Sequence, residues 1–340
     1  MRFLIAILLL TVAVSIHAQV VRGVVKDKTN QMPIAYLSVG VVGTPIGTLT
    51  DRSGKFELTI PDSLRSARLT LYGLGYNRQD LSISTFRGKE LEISMEPLTS
   101  KLTDYVVNRK ESGGYEINEY LTSKRKLLER AYRSFSPKNP EHSGTVVASR
   151  IAIDVPHFII SASIFIAESN TDTTKFRLRL YNVDKATGLP GDDLIQKPVL
   201  RNFTQKKGWM EIDLEDEYIF LEKGEYFLGF ELIEKKEDRF RVYDVLKQRR
   251  EKLKSLYEQG VKGVDQVSME INGETQLRYR TSFSAKKIKK YGLNMPMFNT
   301  KFEVVGGSES GFYRSSSLEN WIQSELGVFR MKLKYEYEKE

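Results

Sequence analysis

Short runs of alternating apolar and polar residues, separated by turn residues, dominate the N-terminal part of the chain. Residues 20–27 form a β-branched run that ends at Asp27, and Phe56, Leu58 and Ile60 alternate ahead of Pro61. The intervening segments contain residues that adopt positive φ readily. About seven short strands, with turns roughly every eight to twelve residues, are typical of an antiparallel sandwich. We therefore predict a mainly β chain whose first unit is a seven-strand sandwich over residues 20–97.

The same texture returns in the C-terminal part of the chain. Residues 176–181 and 329–337 alternate strictly, and residues 226–233 form an almost continuous apolar run. Alternation is typical of a half-buried strand, and a continuous run of a strand buried on both faces. We predict a jelly-roll-like β-sandwich over residues 143–340.

Two segments with helical spacing interrupt the β pattern. Apolar residues between 117 and 135 predict an amphipathic helix within a linker that spans residues 98–142. A helical insertion is predicted at about residues 238–290. Its apolar stripe should pack onto the C-terminal sandwich, and its members are Val242, Val245, Leu246, Leu253 and Leu256.

Four motifs follow one another in the first unit, namely Gly23-Val-Val-Lys-Asp27, Pro33-Ile34, Gly47-Thr48-x-Thr50-Asp51-x-x-Gly54-x-Phe56 and Gly75-Tyr76. In this order they resemble the carboxypeptidase regulatory-like domain, a transthyretin-like β-sandwich. The resemblance covers about residues 20–97 and implies a fold and an accessory role. It implies no peptidase activity, because the catalytic zinc domain of carboxypeptidases is a separate unit. Similar domains precede the plugs of TonB-dependent outer-membrane receptors or other envelope domains.

The first residues have the features of a secretory signal peptide. Arg2 supplies a positive charge, an apolar run extends from Phe3 to Ile16, and Ala18 precedes the expected cleavage point. Cysteine is absent, which excludes disulfides, thiolate metal sites and a lipid-modified cysteine. An exported chain without cysteine fits a bacterial envelope, so we expect residues 1–18 to be removed and the protein to lie in the periplasm or at the outer membrane, or to be secreted.

Motifs that would carry chemistry are missing. No His-Glu-x-x-His pairing, Gly-x-Ser-x-Gly elbow or phosphate-binding Gly-Lys-Ser/Thr occurs. His142 and His157 are the histidines that remain after the leader. The acidic pairs Glu211/Asp213 and Asp192/Asp193 are interpreted as loop or outward-facing strand residues rather than glycosidase carboxylates. We therefore expect no catalytic residue, no metal site and no cofactor.

Two kinds of surface residue remain as candidates for binding. The net charge of +8 includes a basic group on the helical insertion that we expect to face outward and contact an anionic surface, and its members are Lys247, Arg249, Arg250, Lys252 and Lys254. A second basic run occupies residues 286–290. Candidates for stacking on sugar rings are Trp209, Tyr313 and Trp321, for which core packing is the competing interpretation.

Three function classes stay open. The first is a non-catalytic envelope protein whose two sandwiches bind a partner protein or a glycan. The second is a structural or assembly component associated with an outer-membrane receptor or a secretion machine. The third is a hydrolase with an unrecognised site, against which the missing motifs argue. Nucleic acid is not expected as a partner of an exported protein.

Overall fold

The computed structural model consists of two β-sandwiches and an insertion. It describes residues 18–73, 75–86, 90–98, 111–116, 130–134, 140–141, 143–169, 171–195, 197–271, 274–293, 300–305, 311–316, 318–324 and 327–337. The predicted signal peptide lies outside the described residues except for Ala18, which begins the first strand. Within the described residues no helix is both long and apolar enough to cross a membrane.

The first sandwich has seven strands, as predicted: β1 (Ala18–Asp27), β2 (Ser38–Gly40), β3 (Gly47–Leu49), β4 (Lys55–Pro61), β5 (Arg68–Tyr72), β6 (Gln79–Ser82) and β7 (Leu91–Met95). One sheet has the order β4-β1-β7 and the other β3-β2-β5-β6. Strand β1 pairs antiparallel with β4 and parallel with β7. Short 3₁₀ turns occupy Asp62–Leu64 and Ile83–Thr85.

Alternation places the core of this sandwich. Phe56, Leu58 and Ile60 of β4 all point between the sheets and are at most 5% exposed. The turn before them depends on Asp51, whose Oδ1 accepts hydrogen bonds from the backbone N–H groups of Ser53 and Lys55 at 2.8 and 2.9 Å. Gly54 has a φ of 72°, and a Cβ there would lie 2.4 Å from the Val25 carbonyl oxygen. The turn therefore requires glycine at this position.

The second sandwich combines two larger antiparallel sheets. Its strands are β8 (Glu111–Glu116), β9 (Arg130–Ser134), β10 (Thr145–Ile153), β11 (His157–Glu168), β12 (Thr174–Val183), β13 (Pro190–Asp193), β14 (Leu200–Phe203), β15 (Gly208–Asp213), β16 (Phe220–Leu221), β17 (Gly224–Ile233), β20 (Lys301–Val305), β21 (Gly311–Arg314), β22 (Ile322–Gln323), β23 (Val328–Phe329) and β24 (Met331–Tyr337). One sheet runs β13-β12-β17-β10-β21-β22, with β14 on β12. The other runs β23-β20-β11-β24-β8, with β15 and β16 on β11 and β9 on β20. A 3₁₀ turn at Glu215–Glu217 follows β15.

The segment expected to be a linker contributes strands instead. Strand β8 pairs with β24, and β9 pairs with β20, so both extend the second sandwich. The predicted amphipathic helix is wrong at residues 130–134, where Ala131 lies in β9. The other positions of that helix fall outside the described residues. Pairing with a distant strand therefore overrides the local helical spacing at this point.

The insertion between β17 and β20 contains more than helix. It consists of helix α1 (Lys236–Glu258), strands β18 (Val264–Ile271) and β19 (Glu274–Thr281), and the short helix α2 (Ala285–Lys290). Its own core contains Leu253, Leu256, Val264, Phe283 and Leu293. Leu253 and Leu256 of the predicted apolar stripe were expected to pack onto the C-terminal sandwich. That expectation is wrong, because both side chains pack within the insertion.

The two sandwiches touch through the sheet of β2, β3 and β5 and the outer face of the β12-β17-β10 sheet. The backbone N–H of Leu49 donates to Ser143 Oγ at 3.1 Å, and the N–H of Ser143 donates to the Gly47 carbonyl at 3.2 Å. The N–H of Gly43 donates to the Leu318 carbonyl at 2.9 Å. A Cβ on Gly47 would lie 3.1 Å from Ser316 Oγ. The close approach of the two sheets therefore favours glycine at position 47.

Candidate functional site

A buried cluster of four charged side chains lies where the two sandwiches meet. Arg177 and Arg179 project from the outer face of β12, while Leu178 and Leu180 of the same strand enter the core. Glu231 of β17 lies opposite Arg177 in the strand register. Its Oε2 lies 2.5 Å from Arg177 Nη2 and 2.7 Å from Arg179 Nη2. Asp193 completes the cluster, 2.8 Å from Arg179 Nη1.

Two positive and two negative groups balance one another in this cluster. Every one of the four side chains is at most 1% exposed. Burial alone would raise the pKa of Glu231, but Arg177 and Arg179 outweigh it and hold that pKa below its ordinary value. For Asp193, burial prevails over Arg179 and raises the pKa. Removal of one partner from a buried cluster of this kind strongly destabilises the fold. The cluster therefore favours one specific pairing of these strands and one docking of the two sandwiches.

Tyr36 of the first sandwich connects this cluster to an adjoining cleft. Its carbonyl oxygen accepts a hydrogen bond from Arg177 Nη1. Its hydroxyl accepts hydrogen bonds from Lys175 Nζ at 2.9 Å and Arg52 Nε at 3.3 Å. Although burial alone would raise the pKa of Tyr36, these two cations lower it below the ordinary value.

The backbone of Tyr36 is strained. Its φ is 59°, in the left-handed region that a bulky side chain seldom adopts. Such strain persists only where the surroundings determine the conformation, and it is concentrated at functional sites. The backbone of Tyr36 is held on both sides, because its N–H donates to the Thr50 carbonyl at 2.9 Å and its carbonyl accepts from Arg177 Nη1 of the second sandwich.

A cleft of about 830 Å³ opens between the two sandwiches beside Tyr36. Acidic and basic residues line it in equal number, together with hydroxyl groups from threonine and serine side chains. Its charged lining includes Arg52, Glu57, Lys175, Glu234, Lys236 and Arg239. The cleft is therefore polar and close to neutral overall, with hydrogen-bond donors and acceptors on all sides.

Ion pairs and backbone contacts fix the wall of the cleft at the start of α1. Lys236 Nζ lies 3.8 Å from Glu57 Oε1, which joins the insertion to the first sandwich. Arg22 Nε donates to Glu57 Oε2 at 2.7 Å, and this hydrogen bond is the main reason why the pKa of Glu57 is lowered. Arg239 is buried and donates from Nε to the Pro140 carbonyl at 2.9 Å and from Nη1 to the Glu234 carbonyl at 2.8 Å.

Glu234 is the lining residue with the most perturbed carboxyl group. Burial raises its pKa to about 7, and the neighbouring Arg239 compensates for only part of that effect. Its charge therefore changes near neutral pH, within the cleft. A carboxyl group with a strongly shifted pKa in a cleft is a feature of functional sites.

The three aromatic residues predicted to stack on sugars lie in different places. Tyr313 is half-buried and packs against the core between the sheets. Trp321 lies under the Arg314 guanidinium, with 4.3 Å between the guanidinium carbon and the ring centroid. Trp209 lies on the outer face of the other sheet, with Lys332 Nζ 4.2 Å from its ring centroid. None of the three lines the cleft, and sugar stacking on Trp209 stays a prediction.

The basic residues predicted on the insertion do not form a single outward face. Lys247, Arg250, Lys252 and Lys254 are exposed. Arg249 is partly buried, donates from Nε to the Leu293 carbonyl at 2.9 Å, and has a pKa lowered by burial. Its outward placement was therefore wrong, because Arg249 lies on the same helical face as Leu253 and Leu256.

His157 and Glu211, which were considered from the sequence, make contacts that stabilise the fold. His157 is buried, stacks on Tyr335 with 4.1 Å between ring centroids, and donates from Nδ1 to the Val155 carbonyl at 2.8 Å. Burial lowers its pKa. Glu211 accepts from Lys334 Nζ at 2.7 Å and from Ser161 Oγ at 2.6 Å. His142 lies outside the described residues. Among the residues that the structure describes, no group of three or more His, Asp or Glu could hold a metal ion.

Sequence reasoning did not identify Tyr36, Lys175 or Arg52. Tyr36 and Arg52 belong to the first sandwich, and Lys175 of the second sandwich joins them only when the sandwiches dock. The sequence feature that could have indicated the buried cluster is Glu231, a carboxylate inside an otherwise apolar strand segment. Such a group is seldom buried without a partner of opposite charge.

Comparison with known proteins gives a family for the first sandwich. Residues 21–107 match the family model of the CarboxypepD_reg-like domain, which confirms the resemblance. No curated protein matches the chain. A chain in the structure of infectious bursal disease virus Gx strain is 7% identical, with a TM-score of 0.22 over 89% of this chain and 60% of that one. The present chain thus matches less than two thirds of that structure's length, and a TM-score this low supports no argument.

Proposed function

We propose that this chain, whose first module is a CarboxypepD_reg-like domain, is a non-catalytic exported envelope protein that binds a glycan between its two sandwiches. The observation that carries the proposal is the polar cleft at the junction of the two domains. Ligand sites occur preferentially at domain interfaces and occupy about 300–1,000 Å³. The volume of about 830 Å³ falls within that range.

The chemistry of the lining favours a neutral, polyhydroxylated ligand. Acidic and basic side chains balance, so the cleft offers no strong field that would select a highly charged molecule. Sugar hydroxyls donate and accept hydrogen bonds at once, and they match a wall on which donors such as Lys175 and Arg52 alternate with acceptors such as Glu57. The alternative ligand is an extended segment of a partner protein, and the alternative role is structural assembly at the envelope.

A rigid wall would make such binding specific. Lys175 and Arg52 both donate to the Tyr36 hydroxyl, which fixes their ammonium and guanidinium groups before any ligand arrives. Groups held in place lose little conformational entropy on binding, and this is the general origin of affinity in preorganised sites.

The test is a calorimetric titration that measures the affinity of the mature chain for envelope polysaccharides and their oligosaccharides. Lys175→Met keeps the aliphatic stem and removes the ammonium group, and we expect it to weaken binding about tenfold, as loss of a charged hydrogen bond does. Lys254→Met is the matched control, because Lys254 is exposed on α1 and does not line the cleft. Absence of glycan binding, or equal affinities of the two variants, would refute the proposal. Capture of a folded partner protein that Lys175→Met abolishes would favour the protein alternative.

A further inference from the structure

Nearly all of the net charge of the chain is concentrated in the insertion. Residues 236–293 contain 15 Lys and Arg and 8 Asp and Glu, so this segment carries +7 of the total of +8. The two sandwiches together are therefore almost neutral. The charge of the protein is a property of one structural element, which indicates an anionic partner for that element.

The basic run on α2 forms one surface with a lysine of α1, because that lysine lies next to the end of α2. Lys286, Lys287, Lys289 and Lys290 are all exposed. A Cβ built on Gly292 would lie 3.3 Å from Lys252 Nζ, which places the Lys252 ammonium beside the end of α2. The segment 282–293 contains no acidic residue. We call these five residues the lysine surface.

The core of the insertion holds the lysine surface in place. Ile288 and Tyr291 pack against the cluster around Leu253 and Leu256. Phe283 stacks on Tyr291 with 5.1 Å between ring centroids. The Arg249 hydrogen bond to the Leu293 carbonyl ties the end of α2 to α1. The lysine side chains are exposed on a backbone that is itself fixed.

Three other exposed basic residues of α1 lie on a different side of the helix from Lys252. At about 100° per residue, Lys247, Arg250 and Lys254 fall within roughly 60° of one another and roughly 140–160° from Lys252. Acidic residues accompany them, and Lys254 Nζ lies 3.8 Å from Glu258 Oε1. This second group, the control surface, is therefore partly neutralised, while the lysine surface is not accompanied by acids of its own segment.

We infer that the lysine surface binds the headgroup surface of an anionic phospholipid membrane. Lysine suits this partner because its ammonium group is a compact charge on a long flexible stem, which follows a fluid array of phosphates without fixed geometry. Each basic residue near such a surface contributes about fivefold to the binding constant at physiological salt. Several lysines acting together give peripheral, salt-sensitive attachment. The inference does not depend on glycan binding in the cleft.

The test uses sedimentation of the full mature chain with vesicles of phosphatidylcholine alone or mixed with phosphatidylglycerol. The wild type should bind the mixed vesicles at low salt, bind less as salt shortens the screening length, and not bind pure phosphatidylcholine. The variant Lys286→Glu/Lys289→Glu/Lys290→Glu should lose about 100-fold or more in affinity. The matched control, Lys247→Glu/Arg250→Glu/Lys254→Glu, makes the same change in net charge and should lose less than about threefold.

Three outcomes would overturn the inference. They are absence of wild-type binding to the anionic vesicles, equal losses in the two triple variants, and tighter binding of duplex DNA than of vesicles at the same salt. A version of the first variant with alanine in place of glutamate separates lost attraction from repulsion, and circular dichroism verifies that each variant is folded. The calorimetric glycan titration of the same variants should be unchanged, which keeps the two proposals distinguishable.

Discussion

Substitution of Glu231 by glutamine tests whether the buried charge cluster locks the second sandwich and its junction with the first. Glu231 Oε2 accepts hydrogen bonds from Arg177 Nε at 2.6 Å and from Arg179 Nε at 2.8 Å, and the Nη2 atoms of both arginines lie within ion-pair distance of it. The other oxygen, Oε1, has no hydrogen-bond partner among the described residues. Glutamine keeps the size and one acceptor oxygen, and it removes only the charge that the two guanidiniums share.

The expected cost follows from burial. With Glu231 neutral, Arg177 and Arg179 would face Asp193 as their remaining anion, and one positive charge would stay buried without compensation. Removal of one partner from a buried ion pair typically costs about 3–5 kcal/mol. Because Arg177 also donates to the Tyr36 carbonyl, part of this loss should appear as weaker attachment of the first sandwich.

The assay is urea unfolding of the full chain, with Glu211→Gln as the control. Glu211 is also an outward-facing strand carboxylate paired with a cation, but its side chain is 46% exposed. Exposed pairs contribute about 0–1 kcal/mol, so the control should change stability by no more than that. A loss below about 1 kcal/mol for Glu231→Gln would refute the reasoning, because it would mean that water reaches the cluster.

The wild type and Glu231→Gln should also differ in their stability at acid pH. The arginines hold the pKa of Glu231 below its ordinary 4.5. A depressed pKa stabilises the fold above the unfolded value, and that contribution disappears as the pH falls through the folded value. The wild type should therefore lose stability below about pH 4.5 more steeply than Glu231→Gln, and parallel curves would contradict the assignment.

Three further predictions concern separate parts of the chain. Phe56→Ala should cost about 3–5 kcal/mol in a thermal melt, since Phe56 is 5% exposed in the first core, and an unchanged melt would place it at the surface. Glu234 has a pKa raised to about 7, so Glu234→Gln should gain up to roughly 3 kcal/mol over wild type at pH 8 and nothing at pH 4. Equal urea midpoints at pH 8 would contradict that shift. N-terminal sequencing of protein from the envelope fraction should begin at Gln19, whereas a chain in the cytoplasm that begins at Met1 would refute the export prediction.

Most of the first sandwich could be predicted because its determinants are local. A strand turns alternate side chains to one face, so Phe56, Leu58 and Ile60 identify the inner face without knowledge of any partner strand. Turns such as the one at Asp51 and Gly54 depend on residues a few positions apart. Strand β9 has no such local signal, because its five residues become a strand through pairing with β20, far along the chain.

The helix of the insertion shows what the spacing of apolar residues can predict and what it cannot. Spacing correctly placed Leu253 and Leu256 on a buried face, but it could not say what covers that face. The cover is formed by β18, β19 and α2, and the sequence pattern did not separate these elements from the predicted helical insertion. Arg249 was assigned by its charge rather than by its position, although the helical angle places it between Leu253 and Leu256.

The candidate cleft escaped prediction because periodicity cannot distinguish water from a second domain. Arg177 and Arg179 alternate with leucines in a way that is typical of a strand with a solvated outer face. In the structure that outer face is covered, and the charges are paired with Glu231 and Asp193. Glu231 was the residue that indicated a covered outer face, since a carboxylate in a strand buried on both faces needs a cation nearby.

The buried cluster also has a consequence for the cleft beside it. Apolar surfaces tolerate sliding, because any apolar contact replaces another at similar free energy. Paired charges do not, since a shifted docking of the first sandwich would deprive Arg177 of the Tyr36 carbonyl and expose the cluster to an unmatched surface. One docking geometry is therefore strongly favoured over its neighbours. Tyr36 also positions Lys175 and Arg52 through its hydroxyl, so the same docking geometry fixes the donors of the cleft. A substitution at Glu231 should therefore weaken the glycan binding proposed for the cleft, although Glu231 itself does not line it.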